Sequence, residues 1–257
     1  MPLYSPSRRV LIKSLAAAGL VGCLPAACAA PRKPDKHSLG VALVGLGYYS
    51  RDLLAPGLQL TRNCHLAGIV TGTPEKATEW QRKYDLPDSG LYDYENFDRI
   101  ADNPDIDVVY VVLPNHLHKE FTLRAAAAGK HVWCEKPMAM DAVESQDMID
   151  ACQRNKVKLS IGYRMQHEPN TQRVMGFARD RPWGGLRSLQ ADAGFHAFDD
   201  AAGQDIWRLD PARGGGAMYD MGVYSLNAAR YTSGEEPVAV TARKSVQRPH
   251  IFTQVDE

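Results

Sequence analysis

The sequence predicts an α/β chain in two parts. A doubly wound parallel sheet is expected over residues 40–163, and an α+β domain with an incomplete open antiparallel or mixed sheet over 164–257. Three observations carry this expectation. Val41–Val44 is a short apolar run that reads as a buried strand, and it leads through Gly45-Leu46-Gly47-Tyr48-Tyr49-Ser50 into a helix-compatible segment, Arg51–Leu60. From there to Arg164, apolar runs of strand length alternate with amphipathic segments of helix length, the pattern of βαβ units. After Arg164 the alternation stops and looser, strand-like patterns appear.

The first unit sets the chemistry. Strand, Gly-x-Gly-x-x-small turn and helix, in that order, form the context of a Rossmann dinucleotide site. The first glycine allows a tight turn, and the second lets the backbone approach a pyrophosphate at a helix N-terminus. Ser50 takes the third position, where a small residue lets helix and strand pack closely. An ordinary βα turn has the same look, so the rest of the chain must decide.

His65–Val70 is the second strand, followed by Thr71-Gly72-Thr73-Pro74-Glu75-Lys76. A cofactor with free ribose hydroxyls calls for a carboxylate at this strand's end. Hydroxyls, free amides and Lys76 suit a 2′-phosphate instead, which points to NADP, although a solvated helix lysine looks the same in sequence. Pro74–Tyr84 reads as a helix with proline at its first position, and Asp85–Asp107 as loop with a short helix.

Val108–Leu113 is a continuous apolar strand, as a sheet covered on both faces requires. Ligands bind beyond the carboxyl ends of such strands, so Leu113-Pro114-Asn115-His116-Leu117-His118 faces the cofactor. Two histidines two apart on a helix start share no face, which argues against a zinc pair, and no metal site is expected. Lys119–Gly129 is a helix and Lys130–Cys134 a strand ending in Glu135-Lys136-Pro137. A lysine there can bond a substrate oxygen or lower the pKa of a neighbouring acid; a surface turn lysine is the plainer alternative. Asp141–Gln153 opens on an Asp141…Glu144 capping pattern, and Lys158–Tyr163 is the last strand of this part.

In the second part Pro169–Asp180 and Ala217–Thr232 read as helices, and Leu186–Phe195 and Val238–Arg248 as strands. Asp220 and Tyr224 lie four apart on the second helix, hence on one face, just after an open glycine stretch. A tyrosine in that place can relay a proton as a hydride leaves an alcohol carbon, with a nearby Lys136 lowering its pKa, and Asp220 can orient a sugar hydroxyl. Taken alone, Tyr224 reads equally well as a core aromatic.

Composition sets limits on partners. Thirty basic residues balance thirty acidic ones, which argues against a general nucleic-acid binder. Residues 1–29 carry Arg8, Arg9 and Lys13, no acid, and an alanine-rich apolar run, the layout of an export signal rather than a membrane span. Ser7-Arg8-Arg9-Val10-Leu11-Ile12-Lys13 resembles a twin-arginine signal, so a periplasmic product is expected. Ala27-Cys28-Ala29 suits signal peptidase, while Leu20-Val21-Gly22-Cys23 resembles a lipobox that would leave a lipid anchor on Cys23; the apolar run past Cys23 favours the soluble product. Residues 30–39 read as an arm or linker. Cys64, Cys134 and Cys152 are isolated, without zinc spacing, and read as small buried residues.

These motifs resemble those of the Gfo/Idh/MocA oxidoreductase family and, within it, of the glucose–fructose oxidoreductase group. They are Val-Gly-Leu-Gly-Tyr-Tyr (44–49), Leu-Tyr-Asp-Tyr (91–94), Leu-Pro-Asn-His-Leu-His (113–118) and Cys-Glu-Lys-Pro-Met-Ala (134–139). Ile-Gly-Tyr-Arg (161–164), Trp-Arg-Leu (207–209), Gly-Gly-Gly-Ala-Met-Tyr-Asp-Met-Gly-Val-Tyr (214–224) and Gly-Glu-Glu-Pro (234–237) continue the match. Tyr224, where many relatives carry His, points to the narrower group.

The resemblance implies a tightly held NADP that oxidises an aldose such as glucose to its lactone and passes the hydride to a second sugar such as fructose. It implies catalytic roles for Lys136 and Tyr224 with Asp220 beside them. It places the cofactor against Gly45, Leu46, Gly47, Tyr48 and Tyr49 in the first turn, and against Thr71, Gly72, Lys76 and Tyr94 around the second strand's end. Leu113, Pro114, Asn115 and His118, then Glu135, Lys136 and Arg164, and finally Trp207 and Arg208 complete the implied contacts. A homo-oligomer, dimer or tetramer, is implied as well. The 30–39 arm is short beside the one that group wraps around a neighbouring subunit, and Glu257 comes before further strands of the family's sheet. The alternatives are therefore a sugar or cyclitol dehydrogenase with exchangeable cofactor, or an inactive truncated fragment.

Overall fold

The computed structural model describes residues 38–196 and 206–257; the predicted export signal, with Cys23 and Cys28, and most of the 30–39 arm lie outside them. Six strands form one parallel sheet: β1 Leu39–Val44, β2 Cys64–Val70, β3 Leu91–Tyr92, β4 Val108–Val111, β5 His131–Cys134 and β6 Leu159–Ile161. Their spatial order is β3-β2-β1-β4-β5-β6, with every neighbouring pair parallel. This is the order in which a crevice opens at the carboxyl ends of β1 and β4, where the chain's winding reverses.

The apolar runs are continuous because both sheet faces are covered. Along β1, Ala42 and Val44 enter one core layer with Val70, Val109, Val111 and Phe121. Val41 and Leu43 enter the other, with Leu66, Ile69, Trp80 and Val108. Successive side chains of a strand point to opposite faces, so a strand buried on both sides has no polar positions to show.

The helices follow the expected spacing. α1 (Ala55–Leu60) is preceded by a π-helical turn over Ser50–Leu54. α2 (Pro74–Tyr84) starts on its proline and ends at Asp85 in the left-handed region, φ 53°. α3 (His118–Ala127) and α4 (Ala142–Arg154) lie between the later strands. The capping pattern at α4 forms, since Asp141 Oδ1 accepts from the Glu144 amide at 2.8 Å. Among the three cysteines, all free, Cys134 and Cys152 are buried and Cys64 is half-buried. The short edge strand β3 falls inside a stretch expected to be loop; two residues are too few to show an alternation.

The second part departs from expectation. α5 (Pro169–Asp180) and α6 (Val223–Ser233) pack against each other, and a π-helical turn, Met218–Gly222, precedes α6. The strands expected over Leu186–Phe195 and Val238–Arg248 do not form among the described residues. An alternating pattern becomes a strand only when its amides and carbonyls pair with a neighbour, and neither run has one here. Val238 and Val240 stand in solvent accordingly. A small separate core of Ile251, Phe252 and Val255 packs on Ile206, Leu209 and Val246. No helix among the described residues is long and apolar enough to cross a membrane.

Candidate active site

A cavity of about 1090 Å³ lies at the carboxyl ends of β1, β2, β4 and β5 and runs on to α6. It is at the upper end of the size of single-ligand pockets. Its first wall is the glycine turn. Gly45 has φ +91°, and a Cβ there would meet the Val112 carbonyl at 2.4 Å, so only glycine lets β1 turn this close to β4. A Cβ on Gly47 would meet nothing within 4 Å: the backbone there is open to a ligand. Buried Ser50 donates from Oγ to the Gly45 carbonyl at 2.6 Å, so the hydroxyl in the third position laces the turn to the start of the helix. Tyr48 and Tyr49 line the same wall.

At the end of β2, Thr71, Gly72, Thr73 and Lys76 face the cavity, with no carboxylate among them. The Thr73 amide donates to Thr71 Oγ1 at 3.2 Å. Tyr94 covers Gly72 so closely that a Cβ there would sit 3.2 Å from its ring. These groups, with the open glycine turn, fit a dinucleotide: free amides for a pyrophosphate, hydroxyls and an ammonium for the ribose end, and a flat aromatic beside them.

Leu113, Pro114 and Asn115 line the cavity beyond β4. Asn115 Nδ2 donates to the Gly214 carbonyl at 2.7 Å and so ties the second part's glycine stretch to the sheet. His118 does not join them. It is fully buried, with Nδ1 2.8 Å from the Pro137 carbonyl and Nε2 2.9 Å from the Leu113 carbonyl. Burial pushes its pKa below the ordinary histidine range, against the pull of those carbonyls. The implied cofactor contact is corrected: His118 is a strut between the loops after β4 and β5. Its position one residue past a ligand-facing turn could not distinguish the two roles.

The loop after β5 supplies Glu135 and Lys136. Glu135 Oε1 accepts from the Tyr110 hydroxyl, and burial raises the Glu135 carboxyl above its usual range although that bond works the other way. Lys136 reaches across to the second part. Its Nζ donates to the Asp220 main-chain carbonyl at 2.6 Å and to Asp220 Oδ1 at 3.0 Å. Arg208 Nε donates to Asp220 Oδ2 at 2.8 Å. Burial alone would raise the Asp220 carboxyl; Lys136 and Arg208 outweigh it and hold the group below the usual carboxylate range. The Lys136 ammonium also lies 4.8 Å from the centroid of the Tyr224 ring, over its face rather than at its hydroxyl. Arg208 stacks on Trp207 at 4.4 Å, and both line the cavity with Arg164.

A clasp holds this cluster in place. Asp256 Oδ2 accepts from the Met218 amide at 2.7 Å at the start of the turn that carries Asp220, and its main-chain oxygen accepts from Ala217 at 3.3 Å. Gly216, φ +110°, is a glycine because a Cβ would lie 2.2 Å from Asp256 Oδ1. The neighbouring Val255 belongs to the small core under Leu209, next to Arg208.

Apart from His118, every residue expected to touch the cofactor or to act in catalysis lines this one cavity. Further lining residues were given no role in the sequence, among them Tyr163, Asn227 and Tyr231. Asn227 and Tyr231 stand three and seven positions beyond Tyr224, on the same helical stripe, and that spacing was the signal for them. Among the described residues no group of three or more His, Cys, Asp or Glu could hold a metal ion.

Comparison with known proteins agrees with this picture. Residues 39–163 match the model of the Gfo/Idh/MocA oxidoreductase family's NAD-binding Rossmann fold, and residues 172–257 match the family's C-terminal domain. The aldose–aldose oxidoreductase of Caulobacter crescentus, solved with glycerol, is 45% identical; the match covers 86% of this chain and 65% of that one, with a TM-score of 0.81. The NADP(+) D-xylose 1-dehydrogenase of Haloarcula marismortui is 29% identical over 77% of this chain and 55% of its own. The levoglucosan dehydrogenase of Pseudarthrobacter phenanthrenivorans is 30% identical over 77% and 48%, and a levoglucosan dehydrogenase solved with NADH and levoglucosan gives a TM-score of 0.66 at 27% identity over 77% and 55%. The chain spans about half the length of these curated relatives. With its glycine turn, its Glu135-Lys136-Pro137 loop and its glycine-led helix, the chain belongs to the Gfo/Idh/MocA oxidoreductase family.

Proposed function

We propose that the protein is an NADP-dependent sugar oxidoreductase that oxidises an aldose at its anomeric carbon to a lactone and returns the hydride to a second sugar, its NADP(H) staying bound throughout. The observation that carries this reading is the meeting of Lys136, Asp220 and Tyr224 at the far end of a cavity that begins at the glycine turn. Thr71, Thr73 and Lys76, with no carboxylate beside them, favour a 2′-phosphate.

The nicotinamide, when bound, accepts and gives back the hydride. The remaining work falls to the chain. Tyr224 takes the proton of the aldose C1 hydroxyl as the C1–H bond breaks and the C=O of the lactone forms. It returns that proton to the carbonyl oxygen of the second sugar when the hydride arrives. The Lys136 ammonium stabilises negative charge on both oxygens involved, and Asp220, kept ionised by Lys136 and Arg208, accepts from a sugar hydroxyl and orients the ring.

The twin-arginine pair Arg8-Arg9 fits this reading, because that route exports folded protein and could carry bound NADP to the periplasm. We place the protein there, as a dimer or tetramer, with lipidation of Cys23 as the alternative to a soluble product. A second reading, a sugar dehydrogenase with exchangeable cofactor, draws support from the likeness to the NADP(+) xylose dehydrogenase.

One experiment separates the two: an absorbance and fluorescence spectrum of the purified, undialysed protein before and after glucose. A bound nicotinamide that is reduced by glucose and reoxidised by fructose supports the two-sugar cycle. Absence of bound nicotinamide with activity that rises with added NADP supports the exchanging dehydrogenase. No turnover with any sugar under either condition overturns both.

A further inference from the structure

Arg208 and Asp220 meet in the cavity wall, yet what brings them together lies outside it. Gly216 is the joint between their main chains. Its amide donates to the Arg208 carbonyl at 2.9 Å, and its carbonyl accepts from the Asp220 amide at 3.0 Å. Gly216 is in turn pressed against Asp256, where a Cβ would lie 2.2 Å from Oδ1. The next two amides end on the same residue: Ala217 donates to the Asp256 main-chain oxygen at 3.3 Å, and Met218 to Asp256 Oδ2 at 2.7 Å. The first amides of a helical run have no partner within it, so a carboxylate supplied from elsewhere fixes where the run begins. Asp220 lies in that first turn, Met218–Gly222.

Asp256 is itself anchored on both sides. The preceding Val255 is buried with Ile251 and Phe252, and this core packs on Ile206 and Leu209, the residues that flank Trp207 and Arg208. The following Glu257 accepts from the Gln247 and Arg248 amides and from Arg248 Nε. Residues 246–257 are thus tied to one another and reach both ends of the Arg208–Asp220 bridge, one through Leu209 and the other through the Gly216–Met218 main chain. None of them lines the cavity.

We propose that Asp256 is a positioning residue for the sugar chemistry: by holding the Gly216–Met218 main chain, it sets the Asp220 carboxylate between Lys136 and Arg208, where it orients the sugar. This rests on the sugar oxidoreductase reading above. Misplacing an orienting group by a change far from the reacting atoms is costly in rate, because alignment supplies a large part of the acceleration.

The test is a double-mutant cycle on the full chain with D-glucose. It is read in kcat/KM and, independently, in glucose affinity from quenching of tryptophan fluorescence, Trp207 being in the cavity wall. Asp256→Ala removes the carboxylate, whereas Asp256→Asn keeps an oxygen able to accept from the Met218 amide. Asp256→Ala should lower kcat/KM roughly tenfold or more and weaken glucose binding, with NADP affinity unchanged, and Asp256→Asn should recover most of both losses. In an Asp220→Asn background, Asp256→Ala should cost little more, since two residues that act through one arrangement are not additive. Should Asp256→Ala not fold, Asp256→Ser, polar but too short to reach the Met218 amide, takes its place in the cycle; failure of both to fold overturns the inference. So do a wild-type rate in Asp256→Ala, an Asp256→Asn variant as impaired as Asp256→Ala, full additivity with Asp220→Asn, or a parallel loss of NADP affinity. Each of these leaves the sugar oxidoreductase standing. A wild type that neither binds nor oxidises any aldose overturns the reading on which the inference rests, and the inference with it.

Discussion

Lys136 and Asp220 join the two parts of the chain at the point where the chemistry is expected: one ammonium bonds both the carboxylate, at 3.0 Å, and the main-chain carbonyl, at 2.6 Å, of a residue 84 positions away. Both side chains are nearly shielded from water, 12% and 13% exposed. Arg208 completes the arrangement from the other side of the carboxylate.

The pH dependence of this tie follows from the direction of the Asp220 shift. Its pKa in the fold lies below the unfolded value, so the fold prefers the ionised carboxylate. The resulting stability is fully present above the ordinary aspartate value of about 3.9 and is lost as pH falls through the lower folded value. Asp220→Asn should therefore lower the melting temperature at neutral pH, by an amount corresponding to about 2 kcal/mol. Melting curves of wild type and variant, taken from pH 7 downwards, should converge in acid.

Tyr224→Phe removes the hydroxyl proposed to accept the proton and leaves the ring under the Lys136 ammonium. Turnover of glucose should fall by roughly 10²–10⁴-fold, with cofactor binding intact. Steady-state rates beside a nicotinamide spectrum check this; rates near those of the wild type would place the proton relay elsewhere.

Lys76 tests the choice of cofactor. Lys76→Glu sets a carboxylate in the cavity wall beyond β2, where the lining of the wild type has none, favouring free ribose hydroxyls over a 2′-phosphate. Affinity for NADP should drop at least tenfold while affinity for NAD holds or improves. Titration of both cofactors against protein fluorescence gives the ratio.

Ser50→Ala removes the buried hydroxyl that bonds the Gly45 carbonyl. The expected cost is about 1 kcal/mol of stability together with weaker dinucleotide binding, since the lacing of the turn is lost without a clash. Thermal unfolding with and without NADP should show the variant gaining less from the cofactor than the wild type does.

Much of this site could be read from local pattern. Val41–Val44 predicted a doubly buried strand because a chain covered on both faces leaves no polar position, and the glycines at 45 and 47 announced a turn that a Cβ would block at Gly45 and that leaves the backbone open at Gly47. Lys136 at a strand's end and Asp220 with Tyr224 at helical spacing were legible for the same reason: position along a regular element fixes the side on which a residue emerges. The same rule, carried three and seven residues further, would have found Asn227 and Tyr231. Leu186–Phe195 and Val238–Arg248 misled because alternation describes what a strand needs on its faces and says nothing of whether an edge is there to pair with.

The sequence by itself determined the local elements, the glycine turn, the polarity of the β2 end and the identity of the groups able to do chemistry, because backbone periodicity and residue type are short-range properties. Tertiary structure alone decided which of those groups meet. It buried His118 between two carbonyls as a strut, set Lys136 over the face of Tyr224 rather than at its hydroxyl, and brought Arg208 to the far side of the Asp220 carboxylate. Each of these depends on the packing of segments far apart in the chain, where burial and the competition for hydrogen-bond partners select one arrangement among many that the same residues permit.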